Sequence, residues 1–189
     1  MVRTWDKSDR ERNGKAKILN SEQLQNLFDY LPAKYRVLFG ICLFTGCRVS
    51  EAIQLRREDI YDSQILFRKS TTKGQIKTRE VDLHPMLAKY LDGYELPLTG
   101  YLFPHKIDSG KPMLTQGADE TLRKTCDALG YKGVSTHSFR RTALTMMSAS
   151  GIPLRHIQEI SGHSSLAMLQ RYLDVTPTQK KEAINAISF

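Results

Sequence analysis

The sequence predicts an α+β fold that is mainly α-helical, with a small antiparallel β-hairpin or sheet at one edge. Two observations carry this prediction: most of the chain places apolar residues at helical spacing, and one central stretch changes to alternating apolar and polar residues. The length of 189 residues suits one domain with a sizeable core. We expect that domain over residues 18–189, after a flexible basic leader over residues 1–17 in which six Lys or Arg accompany three Asp or Glu.

The first helices are predicted from their ends. Asn20, with a glutamine three residues later, is typical of a capping box, and apolar residues follow at helical spacing until Pro32 ends the helix. A second helix is expected over about residues 33–44 and a short third helix over residues 48–55. Gly46 lies between them and suits the left-handed conformation that follows a helix.

The alternating stretch predicts two strands joined by a turn. Residues 64–69 and 76–83 alternate apolar and polar side chains, and a polar segment over residues 70–75, which contains Gly74, separates them. The other predicted elements are a short extended edge at residues 101–104 and helices at about residues 85–91, 115–129, 137–150, 153–161, 164–172 and 177–187.

The composition is that of an ordinary soluble globular protein, with 40% hydrophobic and 25% charged residues. No apolar run approaches the ~20 residues of a membrane-spanning helix. The N-terminus has no apolar segment of the kind found in secretory signals. We therefore expect no membrane partner and a cytoplasmic location.

The net charge indicates the kind of partner, and the cysteine and histidine spacing indicates which kinds of metal or disulfide site to expect. Lys and Arg number 28 against 20 Asp and Glu, and the net charge of +8 favours a polyanion. Cys42, Cys47 and Cys126 form no CxxC pair, which argues against a disulfide framework and a zinc ribbon. His156 and His163 lack the HExxH spacing of zinc hydrolases, and a helix break separates them. We expect neither a metal nor another cofactor.

Two predicted helix starts carry groups suited to a phosphate. His137 and Arg140 are three residues apart at the opening of one helix, so they share a face beside the unpaired N–H groups of its first turn. His163 follows Gly162 at the start of another helix. Taken singly, a histidine at such a position is more often a cap or a surface residue.

Tyr172 is a candidate nucleophile only in the company of cations. Its phenol has a solution pKa of about 10, so attack on phosphorus requires groups that stabilise the phenolate and the developing charge. Arg48 opens the short third helix, and Glu51 shares its face and is placed to orient the guanidinium or a neighbouring histidine. Lys73 lies in the hairpin turn, from which a lysine can enter a DNA groove and deliver a proton.

Taken together, these motifs resemble the catalytic domain of the tyrosine recombinase, or phage integrase, family. The resemblance covers about residues 18–189 and implies a tyrosine-recombinase-like fold. Most members carry an N-terminal helical DNA-binding domain, whereas about 17 polar residues precede the fold here. The chain is either an excised catalytic domain or a small member that works without that domain. The resemblance rests on residues 45–51, Lys73, residues 137–140, residues 162–164 and residues 171–172.

The resemblance implies a role for each site residue at the phosphate. Arg48 and Arg140 are similar to the two arginines that clamp the non-bridging oxygens of the scissile phosphate, where the guanidinium fork suits two-point binding. His137 resembles the general acid/base that assists the tyrosine. His163 matches a position that supplies a further hydrogen-bond donor to the phosphate, and Glu51 is a supporting residue.

The same resemblance assigns the nucleophile and the acid. Tyr172 matches the tyrosine that attacks the phosphate, and Lys73 looks like the hairpin lysine that protonates the departing 5′-hydroxyl. Lys69 and Lys77 are rival lysines. Lys73 is preferred because it lies at the turn, whereas Lys77 already belongs to the alternating strand.

The implied function is that of a site-specific DNA recombinase that works through a 3′-phosphotyrosyl intermediate without metal or ATP. Double-stranded DNA is the implied partner, with a nucleoid-associated location and a homotetramer on DNA in which the C-terminal helix docks on a neighbouring protomer. Packing of that helix on its own core, and a monomer in isolation, are the alternatives. A type IB topoisomerase that rejoins the same strand and a non-catalytic DNA-binding regulator are competing functions.

Overall fold

The computed structural model describes residues 16–71 and 78–170, together with residues 181, 184, 185 and 187. Within them the chain is mainly helical, and three short strands form one antiparallel sheet, so the predicted fold class is confirmed. None of the described helices has the length and apolar character needed to cross a bilayer. Several predicted features lie outside the described residues: leader residues 1–15, the turn residues 72–77, Tyr172 and most of the helix at residues 177–187.

The described helices agree with most of the predicted ones. The capping box of the first helix is present, since the backbone N–H of Gln23 donates to Oδ1 of Asn20 at 2.8 Å. The helices are α1 (Ser21–Tyr30), α2 (Ala33–Thr45), α3 (Val49–Ala52), α4 (Pro85–Asp92), α5 (Thr115–Leu129), α6 (Thr136–Ala149), α7 (Leu154–Ser161) and α8 (Leu166–Gln170).

Helix α3 is shorter than the predicted helix over residues 48–55. The chain leaves the helix because Leu55 pairs with a distant segment: its carbonyl accepts from the backbone N–H of Leu102 at 2.9 Å. Arg56 and Tyr101 form an isolated β-bridge beside this contact. The chain after α3 therefore pairs with the predicted extended edge at residues 101–104 instead of continuing as a helix. The spacing of residues within 48–55 does not reveal this distant partner.

The sheet consists of β1 (Ile60–Tyr61), β2 (Gln64–Phe67) and β3 (Arg79–Asp82) in that order. Strands β2 and β3 are the predicted pair, shorter at their turn ends. Strand β1 was not predicted, because two residues are too few to show alternation. It joins β2 through Asp62 and Ser63, whose φ angles of 45° and 63° are those of a tight hairpin turn.

The core is built around α2, which is apolar on nearly all sides and packs against α6 and α4. The rings of Phe39 and Phe139 stack with centroids 4.8 Å apart, so α2 and α6 are in close contact. Gly46 ends α2 in the left-handed conformation, with φ of 63°. This turn carries Arg48 back toward the start of α6.

The described body begins before the predicted boundary at residue 18. The backbone N–H of Lys17 donates to the carbonyl of Gly133 at 3.2 Å. Nη1 of Arg141 donates to the carbonyl of Ala16 at 2.6 Å. Ala16 and Lys17 are thus attached to the loop before α6 and to α6 itself, while the flexible leader stays a prediction for residues outside the described ranges.

Candidate active site

A cavity of about 230 Å³ opens between the start of α6, the start of α3 and α5. Arg48, His137 and Arg140 line it together, so three of the predicted site residues meet at one place. Thr115 and Asp119 of α5 complete the opposite wall. The cavity therefore combines two guanidinium groups and an imidazole, which is a constellation suited to an anion.

Arg48 reaches the cavity from the turn between α2 and α3. Its Nη1 donates to Oε1 of Glu51 at 2.8 Å, which is the contact that their three-residue spacing predicted. The carboxylate of Glu51 is buried, whereas the guanidinium of Arg48 is partly exposed. Glu51 thus holds one edge of the Arg48 guanidinium, and Arg48 lines the cavity.

Arg140 is a buried arginine held by the ends of two helices. Its Nη1 donates to the carbonyl of Gly46, which follows α2, at 2.6 Å and to the carbonyl of Ser161, the last residue of α7, at 2.9 Å. Carbonyls at helix C-termini carry the negative end of the helix dipole and suit a cation. They fix the plane of the Arg140 guanidinium beside the cavity.

His163 is buried directly against Arg140. Its Nε2 lies 2.7 Å and its Nδ1 3.1 Å from Nη2 of Arg140, and Nδ1 lies 2.7 Å from Oγ of Ser161. Burial and the neighbouring guanidinium groups, Arg140 first among them, lower the pKa of His163 from its ordinary value of 6.5 to about 3. The imidazole is therefore neutral at neutral pH.

His137 has a different environment. It is exposed at the first turn of α6, whereas Arg140 three residues later is buried, and both border the cavity. The predicted shared face is thus present. An exposed imidazole at a cavity mouth is accessible to a substrate and to solvent protons.

Arg79 was missed by the sequence analysis. Its side chain is buried: Nη2 donates to Oε2 of Glu51 at 3.0 Å, Nε donates to the carbonyl of Ile160 at 3.0 Å, and the guanidinium lies 4.1 Å from the ring centroid of Phe67. The available signal was its place in the alternation of β3, where Arg79 and Val81 share the inward face. Because Arg79 is itself polar, the alternation of apolar and polar residues did not single it out.

Glu51 consequently bridges two arginines. Burial acts to raise the pKa of Glu51, but the charge and hydrogen bond of Arg79, followed by those of Arg48, outweigh it and leave that pKa lowered. Gly162 permits the arrangement, because a Cβ at this position would lie 2.6 Å from Nη1 of Arg79. The arginine of β3, the carboxylate of α3 and the loop before His163 form one connected network.

The remaining predicted residues are distributed as follows. Lys73 and Tyr172, and the rival Lys77, lie outside the described residues. The rival Lys69 is exposed at the start of a 3₁₀ turn (Lys69–Thr71). Within the described ranges, no three histidine, cysteine or carboxylate side chains are grouped as metal ligands.

Comparison with known proteins gives one consistent family. The model of the phage integrase family matches residues 17–179. The chain is 32% identical over 162 residues to the putative integrase/recombinase y4qK of Sinorhizobium fredii, covering 84% of this chain and 52% of that protein. It is 30% identical over 193 residues to the tyrosine recombinase XerA of Pyrococcus furiosus, covering 95% of this chain and 66% of XerA. The chain thus spans about half to two thirds of these relatives.

Solved structures share the fold. A crystal structure of XerA recombinase matches with a TM-score of 0.74 at 22% identity, over 95% of this chain and 67% of the other. XerH bound to its difH substrate in a pre-cleavage complex matches with 0.69 at 23% identity, over 89% and 53%. The catalytic domain of bacteriophage HP1 integrase matches with 0.68 at 23% identity, over 91% of this chain and 95% of that domain.

Proposed function

Because this chain belongs to the phage integrase family, we propose that it is a site-specific DNA recombinase that cleaves and rejoins strands through a 3′-phosphotyrosyl intermediate. The observation that carries the proposal is the cavity at which Arg48 and Arg140 meet, with His137 at its mouth. XerH, which shares the fold, was crystallised with its difH substrate, and a Tn1549 transposon integrase of the same fold was solved in complex with circular intermediate DNA. These complexes support double-stranded DNA as the substrate here.

The two arginines bind the scissile phosphate in this proposal. Each guanidinium has five N–H donors in a planar fork, which suits the non-bridging oxygens of a phosphodiester. Glu51 orients Arg48, and the carbonyls at the ends of α2 and α7 orient Arg140. Fixed cations stabilise the charge that develops on phosphorus in the transition state without rearranging during the reaction.

Tyr172 supplies the nucleophile. Its phenolic oxygen forms a bond to phosphorus as the bond from phosphorus to the 5′-oxygen breaks. His137 takes the phenol proton, and Lys73 gives a proton to the departing 5′-oxygen. The covalent phosphotyrosine preserves the energy of the phosphodiester, so a 5′-hydroxyl of a partner strand rejoins the DNA without ATP or a metal. Lys69 and Lys77 are the rivals for the role of Lys73.

The C-terminal helix at residues 177–187 docks on a neighbouring protomer in the proposed tetramer on DNA. Ile184 and Ile187, two apolar residues within the span predicted for this helix, are both exposed. Exposure of these side chains favours docking on another copy over packing on the helix's own core. An enzyme that acts on genomic DNA is found where that DNA is, which in a bacterium or archaeon is the nucleoid region of the cytoplasm.

The proposal is tested by trapping the covalent intermediate. The purified chain is incubated in EDTA with nicked duplexes, denatured, and the adducts are mapped by mass spectrometry. We expect a DNA adduct at Tyr172 in the wild-type chain and none in Tyr172→Phe, which should still bind DNA. An adduct retained by Tyr172→Phe would overturn the nucleophile assignment, and DNA binding without any wild-type adduct would favour a non-catalytic regulator.

The product separates recombinase from topoisomerase. Strand transfer to a second, differently labelled duplex is expected of the recombinase. Adducts that rejoin only their own strand would support the type IB topoisomerase alternative. Binding should also weaken steeply with salt, since each neutralised phosphate releases roughly 0.9 of a counterion.

A further inference from the structure

The hydroxyl of Ser161 has its proton committed to the backbone. Oγ of Ser161 lies 2.5 Å from the carbonyl oxygen of Ile157 and 2.7 Å from Nδ1 of His163. A carbonyl oxygen only accepts, and two oxygens approach this closely only with a proton between them. Because a hydroxyl has one proton, Ser161 donates to Ile157 and faces His163 as an acceptor.

The acceptor beside Nδ1 also determines the protonation state of Nε2, the second ring nitrogen of His163. Nδ1 of His163 must carry the proton that it donates to Ser161, and a neutral imidazole has only one N–H. Nε2 is then a lone pair, and it lies 2.7 Å from Nη2 of Arg140, which can only donate. The opposite tautomer would set an imidazole N–H against a guanidinium N–H at this shorter distance of 2.7 Å, whereas the proposed tautomer places its ring N–H at the longer approach, 3.1 Å from Nη2.

We propose that Ser161 is a positioning residue that fixes His163 as its Nδ1–H tautomer, so that Nε2 accepts from Arg140 and aims the guanidinium at the phosphate. This inference rests on the proposed function, in which the cavity holds the scissile phosphate. His163 acts on that phosphate through Arg140, which differs from the direct donor role that the family resemblance implied.

Ser161 acts on Arg140 by two routes. Its side chain orients the imidazole, and its backbone carbonyl accepts from Nη1 of Arg140 at 2.9 Å. The residue is fully buried, and a Cβ at Gly46 would lie 3.3 Å from Cβ of Ser161, so little space surrounds it. Ser161→Ala removes Oγ alone and leaves the carbonyl and the packing in place.

The tautomer is measured directly by NMR on the ¹⁵N-histidine-labelled chain. Two-bond ¹⁵N–¹H correlations identify the protonated nitrogen of each ring, and the signal lost in His163→Gln identifies His163. We expect the proton on Nδ1 in the wild-type chain and a shift toward Nε2 in Ser161→Ala. A wild-type ring protonated on Nε2 would overturn the proposal, and this result requires no variant of Ser161 to fold.

The consequence for the reaction is measured with the nicked duplexes. Ser161→Ala should form the Tyr172 adduct about 10- to 100-fold more slowly, by analogy with residues that orient the ligands of a metal centre, whose loss typically lowers activity by this factor. Ser150→Ala is the matched control: Oγ of Ser150 donates to the carbonyl of Met146, also four residues earlier, at an exposed position. Its rate should be unchanged.

Two results would refute the assignment of Ser161. One is an unchanged tautomer of His163 in Ser161→Ala, and the other is adduct formation at the wild-type rate. Absence of any adduct in the wild-type chain would instead count against the proposed function, and the NMR result would still decide the tautomer.

Discussion

Replacing Arg79 with methionine removes the inner cation of a buried charge network. The side chains of Arg79 and Glu51 are 5% and 1% exposed, and their closest nitrogen–oxygen distance is 3.0 Å. Removal of one partner from a buried ion pair costs about 3–5 kcal/mol, because the other charge stays in the interior. Since Arg48 still contacts Glu51, we expect the lower end of this range, a loss of about 3 kcal/mol in the free energy of unfolding.

Urea unfolding measures this loss as a shift of the midpoint at constant slope. The double variant Arg79→Met with Glu51→Gln removes both charges and should recover at least about 1 kcal/mol, as expected for contacting residues. Lys111→Met is the control: Lys111 and Asp108 also lie 3.0 Å apart but are 75% and 47% exposed, so the change should stay below about 1 kcal/mol. A loss in Arg79→Met no larger than in this control would refute the reasoning.

Three further predictions concern Gly162, His163 and the lysine proposed as the general acid. Gly162→Ala should lower the free energy of unfolding, measured in urea, by about 2 kcal/mol. Gly130→Ala should lower it less, because both glycines have a positive φ but only a Cβ at Gly162 meets a guanidinium. Equal losses in the two variants would contradict this reasoning. As the pH is lowered below 6.5, His163 takes up a proton in the unfolded chain but stays neutral in the folded chain until about pH 3. The free energy of unfolding of the wild-type chain should therefore decrease as the pH falls through this range. The difference in that free energy between the wild-type chain and His163→Gln should change across the same range, and a constant difference would contradict the prediction. Lys73→Ala should slow cleavage more than Lys77→Ala, and a 5′-sulfur leaving group, which needs no proton, should restore only the former; rescue of neither would remove Lys73 from the role of acid.

Much of the fold could be predicted because the strong signals are local. The capping pair at Asn20, the glycine after α2 and the prolines that begin or precede helices act within a few residues, and the structure has helices at those places. Strand β1 and the end of α3 could not be predicted. Both depend on pairing, of β1 with β2 and of Leu55 with Leu102, that no local pattern records.

The residues of the candidate site also divide into those that local sequence predicts and those that it does not. Arg48, His137 and Arg140 were found because each lies at a helix start whose residue types suit a phosphate, and they meet at one cavity. Arg79 and Ser161 were missed because their importance lies in what they touch. A buried arginine in a strand and a serine bonded to its own helix are ordinary by sequence, and only contacts with Glu51 and His163 distinguish them.

The two carbonyls that hold Arg140 belong to residues 94 positions before it and 21 positions after it. A ribosome adds these segments in order, so Arg48 and Arg140 are synthesised before Ser161 and His163 exist. A nascent or truncated chain that stops short of residue 161 therefore carries the basic residues without the geometry that binds a phosphate. Synthesis itself delays the proposed strand cleavage until residues 161 and 163 have been added.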